Sequence, residues 1–148
     1  MRIYVPLQPV DADALRAGST QLELATGRVV WGVAPAARRD RPDADAEELE
    51  YDAIQDATYQ GIEDAVAAGS GDQAVLVIAG DTPDGGLEDA SGTAGAFGLR
   101  VREPLPVRVA SVHVTALSAR AAREDDTDPA LLWFDAAEAA TAVESLRR

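Results

Sequence analysis

Cysteine, lysine and asparagine are absent from this 148-residue chain, and histidine occurs once, at His113. Each absence removes a class of chemistry. Without cysteine there is no thiol nucleophile, no disulfide and no thiolate metal site. Without lysine there is no Schiff base, no amine to anchor a cofactor and no phosphate-binding lysine of the P-loop kind. Aromatic residues make up only 5% of the chain, and no apolar run approaches the ~18 residues that cross a bilayer. What remains is carboxylate, hydroxyl and arginine chemistry plus one imidazole.

All thirteen basic residues are arginine, and alanine fills thirty positions, while residues with AT-rich codons are scarce. A high-GC genome accounts for this without functional pressure; adaptation to high salt is the rival account, since it also favours acids over lysine. The formal net charge is −13. That charge repels phosphate backbones and anionic bilayers, so neither a nucleic-acid nor a membrane partner is expected. The chain opens directly into a strand pattern, without the charged and apolar regions of a signal peptide. With no cysteine, the expected compartment is the cytoplasm. The length fits one domain over residues 1–148, with a core of Ala, Val, Leu and Ile.

Periodicity divides the chain into alternating strands and helices. Arg2 to Leu7 reads as a strand closed by Pro6 and Pro9, Asp11 to Ala17 as a short helix stopped by Gly18, and Gly27 to Val33 as a second strand. Residues 34–43 read as a polar, proline-punctuated connection carrying Arg38, Arg39 and Arg41. Asp43 to Ala68 is the longest periodic segment, with Tyr51, Ile54, Ala57, Thr58, Gly61, Ile62, Ala65 and Val66 on one arc and Leu49 as the misfit. It holds nine acids and no base, so its helicity depends on docking that apolar face. Ala74 to Ala79 is an unbroken apolar run, the best candidate for a central strand buried on both faces.

Gly80 to Gly98 reads as a long exposed loop. Val107 to Leu117 is a strand whose alternation shifts near Ala110 and Ser111, which predicts a β-bulge there. Ala119 to Asp128 is charged, with helical character ending at Pro129. Leu131 to Phe134 is a short apolar strand, and Asp135 with Glu138 has capping-box spacing for a last helix. Ala136, Ala140, Val143 and Leu146 or Arg147 supply that helix with its stripe. The expected fold is therefore α+β: one domain with a mixed sheet of about five strands and two or three packed helices.

The opening Met1-Arg2-Ile3-Tyr4-Val5-Pro6-Leu7, the acidic Glu47-Glu48-Leu49-Glu50-Tyr51 and the closing Leu131-Leu132-Trp133-Phe134-Asp135 together resemble one family. It is a family of short, functionally uncharacterised proteins of high-GC actinobacteria carrying a domain-of-unknown-function label. Its members often show tyrosine where Phe134 stands. The resemblance implies one domain in a cytosolic bacterial setting, and brings no activity, cofactor or catalytic residue.

His113 is the only side chain whose ordinary pKa lies near neutrality. A catalytic imidazole needs an orienting carboxylate, for which Asp81 at the end of the central strand is the candidate, with Ser111 and Thr115 on the same face. The bland alternative is a structural strand histidine. Glu47, Glu48 and Glu50 offer oxygen ligands for a divalent cation, against plain ion pairing with Arg38, Arg39 or Arg41. The glycines of residues 80–98 match neither a P-loop nor a GxGxxG spacing. Leu131 to Phe134 reads as a core strand, or as a dimer or partner surface if it lies at a sheet edge.

No cofactor motif is present and no coherent catalytic set emerges. The leading expectation is a non-catalytic cytosolic interaction or regulatory protein of acidic character, binding a protein partner or a second copy of itself. The alternatives are a small hydrolase or ligand-binding enzyme using His113 with a nearby carboxylate, and a divalent-metal protein using the helix glutamates.

Overall fold

The computed structural model of the chain describes residues 1–146. Eight strands are present: β1 (Arg2–Pro6), β2 (Gln21–Leu24), β3 (Val29–Gly32), β4 (Ala74–Asp81), β5 (Leu87–Asp89), β6 (Gly98–Val101), β7 (Leu105–Ser118) and β8 (Leu131–Asp135). The helices are α1 (Pro9–Arg16), α2 (Pro35–Asp40), α3 (Ala46–Ala67), α4 (Ser91–Ala94), α5 (Ala119–Glu124) and α6 (Ala139–Ser145), the last entered through a 3-10 turn at Ala136–Glu138. The strands form one curled sheet in the order β2-β7-β4-β1-β3-β6-β5. The long β7 pairs β4 along one side; along its other side its two halves pair β2 and β8.

The fold is α+β as expected, but the sheet has eight strands rather than five, and every neighbouring pair is antiparallel rather than mixed. The reason lies in β1. Helix α3 carries the chain from β3 to β4, which run in the same direction as a helical crossover dictates. Strand β1, however, is inserted between them and runs against both. The three missed strands, β2, β5 and β6, are only three or four residues long. Residues 80–98 are therefore not a plain loop: they contain β5 and α4. Residues 34–43 are not a plain connection either, since Pro35 opens α2 at a position where its missing N–H costs nothing.

Each sheet face has its own core. One side gathers Ile3, Val5, Leu76, Ile78, Val112 and Val114 against Ala12 and Leu15 of α1, Ala142 and Val143 of α6, and Leu146 at its C-cap. Complete burial of an aliphatic side chain of this size contributes about 1.5–3 kcal/mol. Arg147, the alternative to Leu146 in the α6 stripe, lies outside the described residues. The other side gathers Tyr4, Trp31, Val77 and Ala79 beneath Leu49, Ala53, Ile54 and Ala57 of α3. Leu49, the misfit on a straight helical wheel, is buried, while Tyr51 is exposed. The Leu49–Ala53–Ala57 row replaces the one through Tyr51, rotating the buried face by about one residue.

Asp45 caps α3 by accepting the Glu48 N–H at 2.8 Å, and the first turn carries Glu47 and Glu48, where the helix dipole favours negative charge. The helix ends at Gly69, whose φ of +79° lies in the left-handed region that glycine enters without strain. At Gly61 the helix sits so close to β4 that an added Cβ would stand 2.7 Å from Val75 Cγ1.

Strand β4 is buried on both faces as the apolar run predicts. The bulge in β7 is also where the pattern places it. Ala79 is opposite Ser111 while Gly80 is opposite Val109, so Ala110 is the extra residue. This insertion keeps Val107 and Val109 in the same core as Val112 and Val114. It also re-aims Arg108 onto the opposite face, beside Ser111 and His113.

Candidate functional site

Directly opposed residues share a sheet face, so the registers place the polar groups of the α3 side in three rows. Arg2, Asp81 and Arg108 form the first row, and Trp31, Tyr4, Ala79, Ser111 and Asp135 the second. Pro6, Val77, His113 and Trp133 form the third.

In the first row Arg2 holds Asp81 in a fork, Nε to Oδ1 at 2.7 Å and Nη2 to Oδ2 at 3.2 Å. Arg108 approaches the same carboxylate at 3.5 Å. The Arg2 hydrogen bond keeps the Asp81 carboxyl below its ordinary pKa against partial desolvation, and Arg2 is raised in return. In the second row the buried Tyr4 donates its hydroxyl to Glu50 Oε2 from α3. Burial, reinforced by that carboxylate, raises the Tyr4 pKa well above its usual value. In the third row His113 Nε2 lies 3.0 Å from Ser111 Oγ. Desolvation, with help from the nearby Arg2 charge, lowers the His113 pKa, so the ring is neutral at pH 7.

His113 and Asp81 lie on one face but are not brought together. Asp81 is four residues along β4 from Val77, the partner of His113, a separation of about 13 Å. Its carboxylate is taken by the two arginines. Thr115, the other neighbour on that face, accepts the Val75 N–H at 2.9 Å and donates to the Leu117 carbonyl at 2.7 Å, closing a second irregularity in the β4–β7 ladder. Its hydroxyl is structural. Glu47, Glu48 and Glu50 are also separated: Glu50 turns to Tyr4, while Glu47 and Glu48 are exposed around a shallow depression with Arg41 and Tyr51. Arg41 pairs with Asp52 and not with these glutamates. Among the described residues no group of three or more His, Asp or Glu side chains is arranged to hold a metal ion.

The third row ends on β8, and here the sequence reading as a core strand needs correction. Leu132 is 53% and Trp133 62% exposed. The strand is exposed because, among the described residues, it is an outer strand of the sheet, paired to β7 on one side only. The Ala116 N–H donates to the Ala130 carbonyl, which makes that opposed pair a hydrogen-bonded one. By alternation Leu132 and Phe134 also bond to β7, while the backbone groups of Leu131 and Trp133 point to the open side. Trp133 and His113 are then a close, non-hydrogen-bonded cross-strand pair. Asp135 caps the following turn, accepting from Glu138 N at 3.1 Å while its own N–H donates to Glu138 Oε1 at 3.3 Å. Sequence reasoning missed Tyr4, Arg2 and Arg108 as members of this face. Continuing the alternation of β7 through the Ala110 bulge was the signal that finds Arg108.

A cleft of about 910 Å³ lies between α1, the C-terminal half of α3 and the start of β4. Its walls are largely apolar, including Trp31, Val75, Leu76 and Leu146, and His113 does not line it. Arg28 lines it and holds Asp11 in a fork, at 2.6 and 3.2 Å, also donating to the Pro6 carbonyl at 2.9 Å. Both side chains of this pair are over 90% buried.

These features define an α+β protein with one curled antiparallel sheet and an open, apolar edge strand beside a mixed-charge face. The chain belongs to a family of unknown function (DUF6912), whose profile matches residues 1–143. No curated protein and no solved structure matches it. Among the described residues no helix is long and apolar enough to cross a membrane.

Proposed function

We propose that this is a non-catalytic interaction protein of the bacterial cytoplasm, which accepts an extended segment of a partner on the open edge of β8. The observation that carries the reading is the exposure of Leu132 and Trp133 on a strand with one vacant side. Natural proteins blunt such edges with charge, proline or brevity, because an apolar edge recruits further strands. The opposite end of the sheet follows that rule: β5 is three residues, Leu87-Glu88-Asp89. In β8 no charge occurs before Asp135. Main-chain hydrogen bonds along an edge supply affinity, and alternate side chains supply selectivity. Tryptophan, among the residue types richest in interface hot spots, stands exposed on this edge as Trp133.

The cheapest test separates an exposed docking residue from a core one. Trp133→Asp should cost less than about 1 kcal/mol in urea unfolding, the size of a surface change plus a lost cross-strand pair. A loss of about 3 kcal/mol or more, as for a buried aromatic, would sink the reading. A second reading, small-molecule binding, is favoured by the cleft beside Arg28, whose size suits a small ligand. A metabolite screen by thermal shift tests it, with Ala68→Leu, a substitution at an exposed position of the cleft wall, abolishing any shift found.

A further inference from the structure

Resting on the edge-strand reading, we infer that the partner of β8 is an extended segment of another protein with an apolar centre and arginine or lysine at both ends. The argument is the charge that brackets the strand. Ahead of β8 stand Asp125, Asp126 and Asp128; behind it stand Asp135 and Glu138, and no basic residue occurs between Glu124 and Leu146. Asp128 already accepts hydrogen bonds from the exposed Tyr51 and Tyr59, at 3.3 and 2.8 Å, and these neutral donors leave its charge in place. Apolar side chains of an incoming strand would meet Leu131 and Trp133 on one face and Leu132 and Phe134 on the other. Cations beyond them would meet the carboxylates.

The same charges argue against a second copy. Two β8 strands pairing antiparallel about Trp133 would set Asp128 of one copy against Glu138 of the other, with no basic residue between Glu124 and Leu146 to offset either end, and would join two chains of net charge −13. Like charges directly opposed across strands are destabilising. The Arg2–Asp81–Arg108 row carries one net positive charge and the adjacent Glu50 cancels it, so that face imposes no sign of its own.

The test uses short synthetic peptides with one alternating Thr-Val centre and three kinds of ends: two arginines, two serines or two glutamates. Trp133 emission reports binding, because Trp31 is 4% exposed and silent to surface events. The arginine-ended peptide should bind about 10-fold or more tightly than the serine-ended one, and the advantage should shrink as salt rises. The glutamate-ended peptide should not bind. Trp133→Ala, which also removes the reporter and is therefore followed by calorimetry, should abolish binding of the arginine- and serine-ended peptides, and placing proline at the centre of the arginine-ended peptide should weaken its binding to the unaltered protein. Equal binding of all three peptides would overturn the charge assignment and leave the edge reading standing. Concentration-dependent dimerisation with no peptide binding would overturn it in favour of a second copy. No binding and no dimerisation would overturn it together with the edge reading.

Discussion

The buried Asp11–Arg28 pair gives the most quantitative prediction. Asp11 sits in the first turn of α1, where Oδ2 also accepts the Gln8 N–H at 2.9 Å and so helps cap the helix. Arg28 stands just before β3 and gives a second Nη2 donor to the Pro6 carbonyl at the end of β1. One contact thus ties α1, β1 and β3 together. Removing one partner of a buried pair leaves the other as an uncompensated charge, at a cost of about 3–5 kcal/mol. Asp11→Ala also loses the cap interaction, about 1 kcal/mol. For a chain of this length each kcal/mol lowers the Tm by roughly 2–4 °C, so the fall expected is on the order of 10–15 °C. Arg41→Ala, which breaks the partly exposed pair with Asp52, should cost less than about 1 kcal/mol. The decisive arm is the double variant Asp11→Leu with Arg28→Met, which removes both charges and keeps the volume. It should recover at least half of the single-variant loss. Urea unfolding at pH 7 measures all four proteins. A single-variant loss below about 1 kcal/mol, or a double variant no better than Asp11→Ala, would refute the assignment of this pair as the anchor of α1.

Three further outcomes follow from other parts of the structure. Gly80→Ala puts a Cβ 3.0 Å from the Arg108 carbonyl and against the Val107 side chain at the bulge, and backbone cannot give way there; a loss of about 1–3 kcal/mol is expected in urea melts, and none would mean the bulge is loosely packed. The folded pKa of His113 is lower than its unfolded value of 6.5, so the unfolded chain binds the proton first and stability falls as pH drops from about 6.5 through the folded value. His113→Gln should flatten that part of the pH–stability curve, and an unchanged curve would show that His113 does not contribute to it. Asp56 lies half-buried near Asp52, and burial with that like charge raises its pKa above 3.8, so its ionised form opposes folding at neutral pH. Asp56→Asn should therefore raise the Tm at pH 7, with the gap closing as pH falls through the raised value, and a Tm no higher at pH 7 would contradict this reading.

Strong periodicity carried the long-range features into the sequence. The both-face burial of β4 is written in Ala74–Ala79, the β7 bulge in the phase change at Ala110, and the last cap in Asp135 and Glu138. Short elements were not legible, because three or four residues such as Leu87-Glu88-Asp89 or Gly98-Leu99-Arg100-Val101 hold too few positions to show a period. Strand direction was not legible either: the α3 crossover does join like-directed strands, and only the insertion of β1 separates them. The candidate face was half legible. Residues of β7 such as His113 and Ser111 share a face by simple alternation. Their meeting with Arg2, Tyr4 and Trp133 depends on pairings twenty or more residues apart in sequence. The apolarity of Leu131–Phe134 was plain. Whether it faces core or water depends on what lies on the far side of β8, and local pattern does not encode that.

The central claim is that β8 is an open edge waiting for a partner strand, and amide hydrogen exchange resolved to single residues tests it most directly. In the free protein the Leu132 and Phe134 amides, bonded to β7, should exchange at least about 100-fold more slowly than those of Leu131 and Trp133. Adding the arginine-ended peptide should protect Leu131 and Trp133 and leave Leu132 and Phe134 unchanged. Equal protection of all four amides in the free protein at low concentration, or no gain at Leu131 and Trp133 with saturating peptide, would contradict the account.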